Sequence, residues 1–302
     1  MLLSGLLDYH LAGQLAARLD VRQRLVPPSG LLDYYLTSIY AGLRSLPGPY
    51  PKEALARLVN PLSYPRYMEY QLAIGGLGAL EGRRVLDIGS PKLPVLLLAR
   101  RARCELYATD IRDYFIGPIA HFLNRLGQGS LVGKQIHLQV QDARHLTYPD
   151  AFFDGIFSIS VLEHIPEEGD SVAMREIARV LRPGGVVTLT VPFAAGGYSE
   201  EYVRGDVYER RSNGAPTFYQ RRYDTAALHR RLIEPSELRL VEMTFFGEPR
   251  IPFERYWNRV PMRWKLPLLW VQPFLAQLFL KTLDVGHCAA ACGVALRLEK
   301  PK

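Results

Sequence analysis

The chain has 302 residues, 48% of them hydrophobic and 22% charged, with a net charge of +7 and three cysteines. This is the composition of an ordinary globular protein, long enough for one large domain with an appendage and a sizeable core. An odd cysteine count without framework spacing argues for a reducing compartment and against a disulfide-stapled secreted fold, while the positive balance leaves nucleic acid, an anionic membrane surface or plain solubility open.

Leu3, Leu7, Leu11, Leu15 and Leu19 recur every fourth residue, with Leu2 and Leu6 beside them, so the chain is expected to open on an amphipathic helix. That segment lacks a basic leader and carries Asp8, which argues against a signal peptide. No window reaches about 18 unbroken apolar residues, so no spanning helix is expected, and the cytoplasm is the expected location. Pro27, Pro28, Ser29 and Gly30 break the helix, and Leu31 to Leu43 reads as a second one. After the turn Pro47 to Pro51 comes a third short helix, Lys52 to Val59, and Tyr64 to Tyr70 leads into a helix just before the first strand. Residues 1–79 are therefore expected to form a helical cap on a domain spanning 80–302.

From Leu80 onward, β-branched runs alternate with helical stretches, the pattern of a doubly wound α/β sheet. Strands are expected near Arg84 to Ile88, Glu105 to Thr109, Ile136 to Val140, Gly155 to Ser160, Val186 to Val191, Leu238 to Phe246 and Gly293 to Leu298. Crossover helices are expected at Pro94 to Arg103, Ile116 to Leu126, Gly169 to Leu181 and Thr225 to Leu232. Before the last strand lies an insertion, Pro249 to Thr282, too long and too apolar for a hairpin loop. It holds Leu266 to Leu280, rich in Leu, Phe and Trp, and carries most of the net charge: Arg250, Arg255, Arg259, Arg263, Lys265 and Lys281 against Glu254 alone. Aromatic and Leu residues beside cations suit an interfacial helix or a lid over an apolar substrate; a buried structural insertion is the other reading.

The chemistry centres on Arg84 to Arg101. The apolar run Val85, Leu86 and Ile88 ends in a turn at Gly89 and passes directly into a Leu-rich helix, the arrangement by which the first strand of an open sheet delivers a ligand to a helix N-terminus. About 20 residues on, Asp110 ends the second strand, where a carboxylate can accept both ribose hydroxyls. Gln139 to Asp154, Gly155 to Ile165 and Val180 to Phe193 follow. In this order and spacing the motifs resemble class I S-adenosylmethionine-dependent methyltransferases of the type 11 subgroup, over roughly residues 80–193 and more weakly to about Gly247.

The resemblance implies a Rossmann-like fold, a seven-stranded sheet with its last strand antiparallel, plus the N-terminal helical extension and the apolar insertion. It implies S-adenosyl-L-methionine as cofactor: Asp87, Gly89 and Ser90 at the methionine moiety, Asp110 and Ile111 at the ribose, Asp142 and Ala143 at the adenine, and Ser160 facing the sulfonium. The segment around Tyr67 and Tyr70 commonly passes over the cofactor in such proteins, and simple aromatic packing is the alternative for both. Where the family has glycines this chain has Pro91 and Leu93, which removes a backbone N–H and places a side chain beside the loop. Two readings remain: a rigid variant loop with Lys92 as counter-charge to the cofactor carboxylate, or a binding or scaffold protein at a membrane surface that has lost turnover. A nicotinamide oxidoreductase is disfavoured, because the Asp142-Ala143 block and the Pro183-Gly184-Gly185 turn have no role in one.

His164 is the candidate general base, with a structural histidine as its alternative. Tyr219 and Tyr223 lie in a basic, aromatic stretch that could cover the acceptor. The expected acceptor is a small molecule, lipid-linked or otherwise apolar, with an anionic membrane surface as a second possible partner. Nucleic acid is not expected, since the pairs Arg210-Arg211, Arg221-Arg222 and Arg230-Arg231 belong to no known module. His287, Cys288 and Cys292 make at best an incomplete metal site in an Ala/Gly-rich run, and no metal is expected.

Overall fold

The computed structural model describes residues 30–208, 210–212, 214–283 and 290–302. The Leu-rich segment 1–20 and the His287-Cys288 pair lie outside the described residues.

The strands are β1 (Arg84–Ile88), β2 (Glu105–Asp110), β3 (Ile136–Val140), β4 (Phe153–Ile159), β5 (Leu181–Pro192), β6 (Ser199–Val203), β7 (Thr217–Arg222), β8 (Arg239–Gly247), β9 (Lys281–Leu283) and β10 (Ala291–Glu299). Eight of them form one sheet in the order β3-β2-β1-β4-β5-β10-β8-β9, and β6 pairs with β7 in a separate hairpin. β3, β2, β1, β4 and β5 run parallel, and β10 is antiparallel to both β5 and β8. The expected antiparallel last strand is therefore present. The expected count of seven strands becomes eight in this sheet, because three residues at the end of the insertion, Lys281–Leu283, pair with Phe245 to Gly247.

Central β4 is buried along its whole length, as a parallel strand covered on both faces must be. One layer against the sheet is built from the helices Leu31–Arg44, Arg66–Gly76, Leu93–Arg101 and Ile116–Arg125. On the opposite face lie Gly169–Val180 and the turns from Thr225 to Ser236. The helix after β1 is apolar nearly all round, with Leu93 to Leu98 buried, so it runs through the core rather than along the surface. Each of its leucines contributes about 1.5–3 kcal/mol by leaving water. The helix begins with proline in its first turn, where the missing N–H costs nothing.

Thr225 to Leu232 departs from expectation. It makes one α turn, capped by the Asp224 carboxylate on the N–H of Ala227, then widens to a π turn at His229–Ile233 and a 3-10 turn at Glu234–Ser236. Pro235 cannot donate to an α ladder, which ends the helix there. The insertion is likewise cut into short pieces, Phe253–Arg259, Met262–Lys265, Leu266–Val271 and Gln272–Phe279, with prolines 261, 267 and 273 at the starts of the last three. It packs on the N-terminal segment, where Tyr35 donates to the Trp270 carbonyl at 3.2 Å and the Tyr64 N–H donates to Gln272 at 3.2 Å, and it is tied together internally by Phe253 stacking on Phe279 at 5.0 Å.

Candidate active site

Strand order reverses between β1 and β4, each of which has its sequence successor on the opposite side. In an open α/β sheet the crevice at the carboxyl ends beside such a point is where ligands bind. A cavity of about 920 Å³ opens there. Gly89, Asp110, Asp142 and Ser160, at or just past the ends of β1, β2, β3 and β4, all line it, as do Ser90, Ile111, Ala143 and His164. Eight of the nine expected site residues are thus brought together.

Asp87 is the ninth and does not line the cavity. Its side chain is fully buried beneath the loop, where Oδ1 accepts from the Ser90 N–H at 3.1 Å and Oδ2 pairs with Lys92 Nζ at 2.9 Å. Burial pushes its pKa up, against the pull of Lys92. The Lys92 ammonium also donates to the carbonyls of Ser90 and Thr109 at 2.7 and 2.8 Å, and lies 4.9 Å from the Phe115 ring centre. Both residues brace the loop from within, so Lys92 is a structural cation and not a free counter-charge. Gly89 has φ +63°, and a Cβ there would meet Val161 Cγ1 at 2.8 Å, so only glycine lets the loop close on β4.

Asp110 accepts from the Arg112 N–H at 3.3 Å and the Tyr114 hydroxyl at 3.2 Å, which orients its carboxylate at the cavity wall. Asp142 is gripped by Arg144, whose Nη2 lies 2.6 Å from Oδ2, and these hydrogen bonds hold its pKa below the usual carboxylate range. Ile111 stands beside Asp110 with 57% of its surface open, an apolar platform at the cavity edge. Tyr70 lines the cavity; Tyr67 is buried elsewhere.

At the opposite end Ser160 leaves β4 in a left-handed conformation, φ +51°, with its hydroxyl donating to Glu69 Oε1 at 2.8 Å. Strain of this kind clusters at functional sites. Glu69 in turn pairs with Arg66 at 2.5 Å. His164 Nδ1 lies 2.8 Å from the Tyr219 carbonyl. A carbonyl only accepts, so Nδ1 carries the proton and Nε2 presents a lone pair. The nearest group to Nε2 is the Tyr208 hydroxyl at 3.4 Å. Burial, together with the charges of Arg66 and Arg210, lowers the His164 pKa and keeps the ring neutral. Glu163 Oε1 is 3.8 Å from the ring, and burial raises its pKa to about 8.

Residues 86–189 match the family described as Methyltransferase domain. Residues 86–189 are a methyltransferase domain. The resemblance drawn from the motifs to class I S-adenosylmethionine-dependent methyltransferases holds for this domain. Among similar proteins, the sterol 24-C-methyltransferase of Eremothecium gossypii is 34% identical over 36% of this chain and 28% of its own length. A methyltransferase of Streptomyces halstedii is 33% identical over 34% of this chain and 36% of its own. The ubiquinone/menaquinone biosynthesis C-methyltransferase of Nitrosospira multiformis is 32% identical over 39% and 46%. The chain therefore spans less than half the length of these relatives.

Several groups around the methyltransferase domain's cavity carried no motif. Asp170, fully buried, accepts from the Tyr223 hydroxyl at 2.8 Å and pairs with Arg231 at 2.8 Å. Arg221, also fully buried, donates to the carbonyls of Ile165 and Glu167. The β6–β7 hairpin thereby clamps the loop that carries His164. Tyr223 belongs to this clamp, whereas Tyr219 acts through its backbone carbonyl. Arg66 lines the pocket from the helix Arg66–Gly76, while Glu69 and Glu163, buried behind the wall, meet Ser160 and His164. Their only sequence signal is their closeness to motifs, since the contacts are between residues far apart in the chain.

Proposed function

We propose that the chain is an S-adenosylmethionine-dependent methyltransferase acting on a small, lipid-linked or otherwise apolar acceptor met at an anionic membrane surface. One observation carries the reading: a single cavity joins the Gly89 turn and the Asp110 carboxylate to a neutral histidine whose Nε2 presents a lone pair. The residues fit the cofactor. Gly89 lines the cavity with bare backbone, Asp110 offers acceptors to the ribose hydroxyls, and Ile111 with Ala143 would hold the adenine beside Asp142. Bound S-adenosylmethionine supplies an electrophilic methyl group on sulfur.

The chain's own part is placement and proton removal. An acceptor O–H or N–H within reach of His164 Nε2 would give up its proton there, leaving its lone pair available for the methyl. The Tyr219 carbonyl fixes the ring tautomer, and the resulting imidazolium lies 3.8 Å from Glu163. Because Glu163 is neutral at pH 7, it does not pre-charge the ring before the acceptor arrives.

The insertion supports the apolar, membrane-borne acceptor. Met262, Trp264, Leu266, Leu268, Phe274 and Leu278 are exposed. Arg255, Arg259, Arg263 and Lys265 lie among them and pair with no acid among the described residues. Glu254, the segment's one acid, is pushed towards its neutral form by burial. No helix among the described residues is long and apolar enough to cross a membrane, so this surface suits lying on one. Nucleic acid is disfavoured because Arg221 and Arg231 spend their guanidinium groups inside the fold.

Calorimetric titration with S-adenosylmethionine and S-adenosylhomocysteine tests the cofactor reading. Micromolar binding, lost in Asp110→Ala, is expected; folded protein that binds neither ligand overturns it.

A further inference from the structure

In the glycine loop of this chain the polar groups nearest the cavity are already engaged. The Gly89 N–H donates to the Thr109 carbonyl at 3.0 Å and the Ser90 N–H to Asp87 at 3.1 Å. Ser90 Oγ accepts from the Ile159 N–H at 3.0 Å, Pro91 has no N–H, and Lys92 Nζ is saturated by three oxygens. A zwitterionic ligand tail beside this loop finds no free cation on it.

Across the same cavity the cap helix Pro51–Val59 and the residue after it offer what the loop lacks. Arg57 lines the cavity and pairs with no acid among the described residues, Glu53 one turn earlier included. Its guanidinium is held at 4.7 Å from the Phe122 ring centre, and its carbonyl accepts from Ser38 Oγ at 3.4 Å. Burial lowers its pKa to about 10, which leaves it a cation at neutral pH. Asn60, also at the wall, has a buried amide oxygen without a hydrogen-bond partner. A half-buried cation without an anion and a buried amide oxygen without a partner are each costly, and both are relieved by one ligand bearing a carboxylate and an ammonium. Arg57 lies over the Phe122 ring and Lys92 over the Phe115 ring, two turns apart on one continuous helical segment, which puts Arg57 on the glycine-loop side of the cavity.

We infer that Arg57 and Asn60 form the subsite for the amino-acid tail of the methyl donor, Arg57 taking the carboxylate and the Asn60 amide the second polar contact. The inference rests on the cofactor reading. It transfers tail recognition from the loop, where Pro91 and Leu93 replace glycines, to the cap.

The test is titration of wild type, Arg57→Gln, Arg57→Lys and Asn60→Ala with S-adenosylhomocysteine and with 5'-methylthioadenosine, which keeps the nucleoside and thioether but lacks the tail. Arg57→Gln is expected to weaken S-adenosylhomocysteine about 10- to 100-fold and leave methylthioadenosine within about twofold, with Arg57→Lys between. Asn60→Ala is expected to act in the same selective way, which keeps the test open if Arg57→Gln fails to fold. Equal loss for both ligands, or unchanged S-adenosylhomocysteine binding, overturns the subsite while leaving the cofactor reading intact. Wild type that binds neither ligand removes both.

Discussion

Lys92 holds its ammonium 2.9 Å from Oδ2 of Asp87, with 7% of one side chain and none of the other exposed. Removing one partner of such a pair strands a buried charge, which costs about 3–5 kcal/mol, more than the pair contributes against an apolar substitute. Lys92→Met is therefore expected to lower the urea midpoint sharply, and Lys92→Met with Asp87→Asn to recover most of it. A Lys92→Met protein that unfolds with the wild type would show that the pair does not hold the loop.

Gly89→Ala meets two obstacles, a left-handed backbone and a contact of 2.8 Å with Val161. The backbone alone costs about 1–2 kcal/mol. Adding Val161→Ala should recover the steric part of the loss and leave the backbone part. Full recovery in the double variant would mean that the positive φ is not needed, a result that denaturant titration of the three proteins distinguishes.

The strands of the parallel sheet were legible because Val85 to Ile88 and Phe153 to Ile159 are apolar runs closed by turns, a signal local in sequence. The hairpin was not, since Ser199 to Val203 and Thr217 to Arg222 are largely polar and charged and gain stability from each other across a long connection. β9 is three residues long and is defined by its partner alone. The same division runs through the site. Gly89, Asp110 and Asp142 sit at strand ends and announce themselves by spacing, whereas Arg57, Glu69 and Arg221 acquire their roles only when segments 54 to 91 residues apart fold together. Asp87 shows the converse: it carries the motif, yet a neighbour the motif does not specify, Lys92, turns it inward.

His164 titrates below its ordinary value of 6.5 through burial and the charges of Arg66 and Arg210. Its base form therefore persists into mild acid, and kcat/KM is expected to fall on the acid side with a midpoint below 6.5. Arg210→Gln removes one of those charges and should move the midpoint up. His164→Ala should lose about 10²- to 10⁴-fold in turnover at unchanged S-adenosylhomocysteine affinity. An acid limb that survives His164→Ala would assign the proton to another group.

Glu163, 1% exposed, has its pKa raised from 4.5 to about 8, and one of its oxygens has no partner. A carboxyl whose folded pKa exceeds its unfolded one favours the fold fully below the unfolded value and loses that contribution as pH rises through the folded value. Stability is thus expected to decline between about pH 4.5 and pH 8 on account of this group. Glu163→Gln stays neutral throughout. It should match the wild type near pH 4.5 and exceed it by up to about 5 kcal/mol at pH 9, read from urea denaturation at the two pH values. Parallel pH profiles for the two proteins would show that Glu163 is ionised in the fold.

Trp264 and Leu266, 62% and 49% exposed, make little contact with the rest of the fold, so replacing them by alanine should leave the melting temperature unchanged. Their effect should appear only at a membrane. Each large side chain moved from water into the interface contributes about 1.5–3 kcal/mol, so loss of either is expected to weaken vesicle binding at least about tenfold. Arg255, Arg259, Arg263 and Lys265 add attraction that depends on lipid charge and is screened by salt. Wild type should therefore sediment with phosphatidylglycerol vesicles at low salt, less at high salt, and little with phosphatidylcholine alone. Because the insertion packs on the cap helices and contributes no residue to the cavity wall, Trp264→Ala should keep S-adenosylhomocysteine affinity while losing transfer to vesicle-borne acceptors. Equal binding of wild type and Trp264→Ala to anionic vesicles would mean that the exposed aromatic face is not what meets the membrane, and the cations alone would then have to account for any attachment.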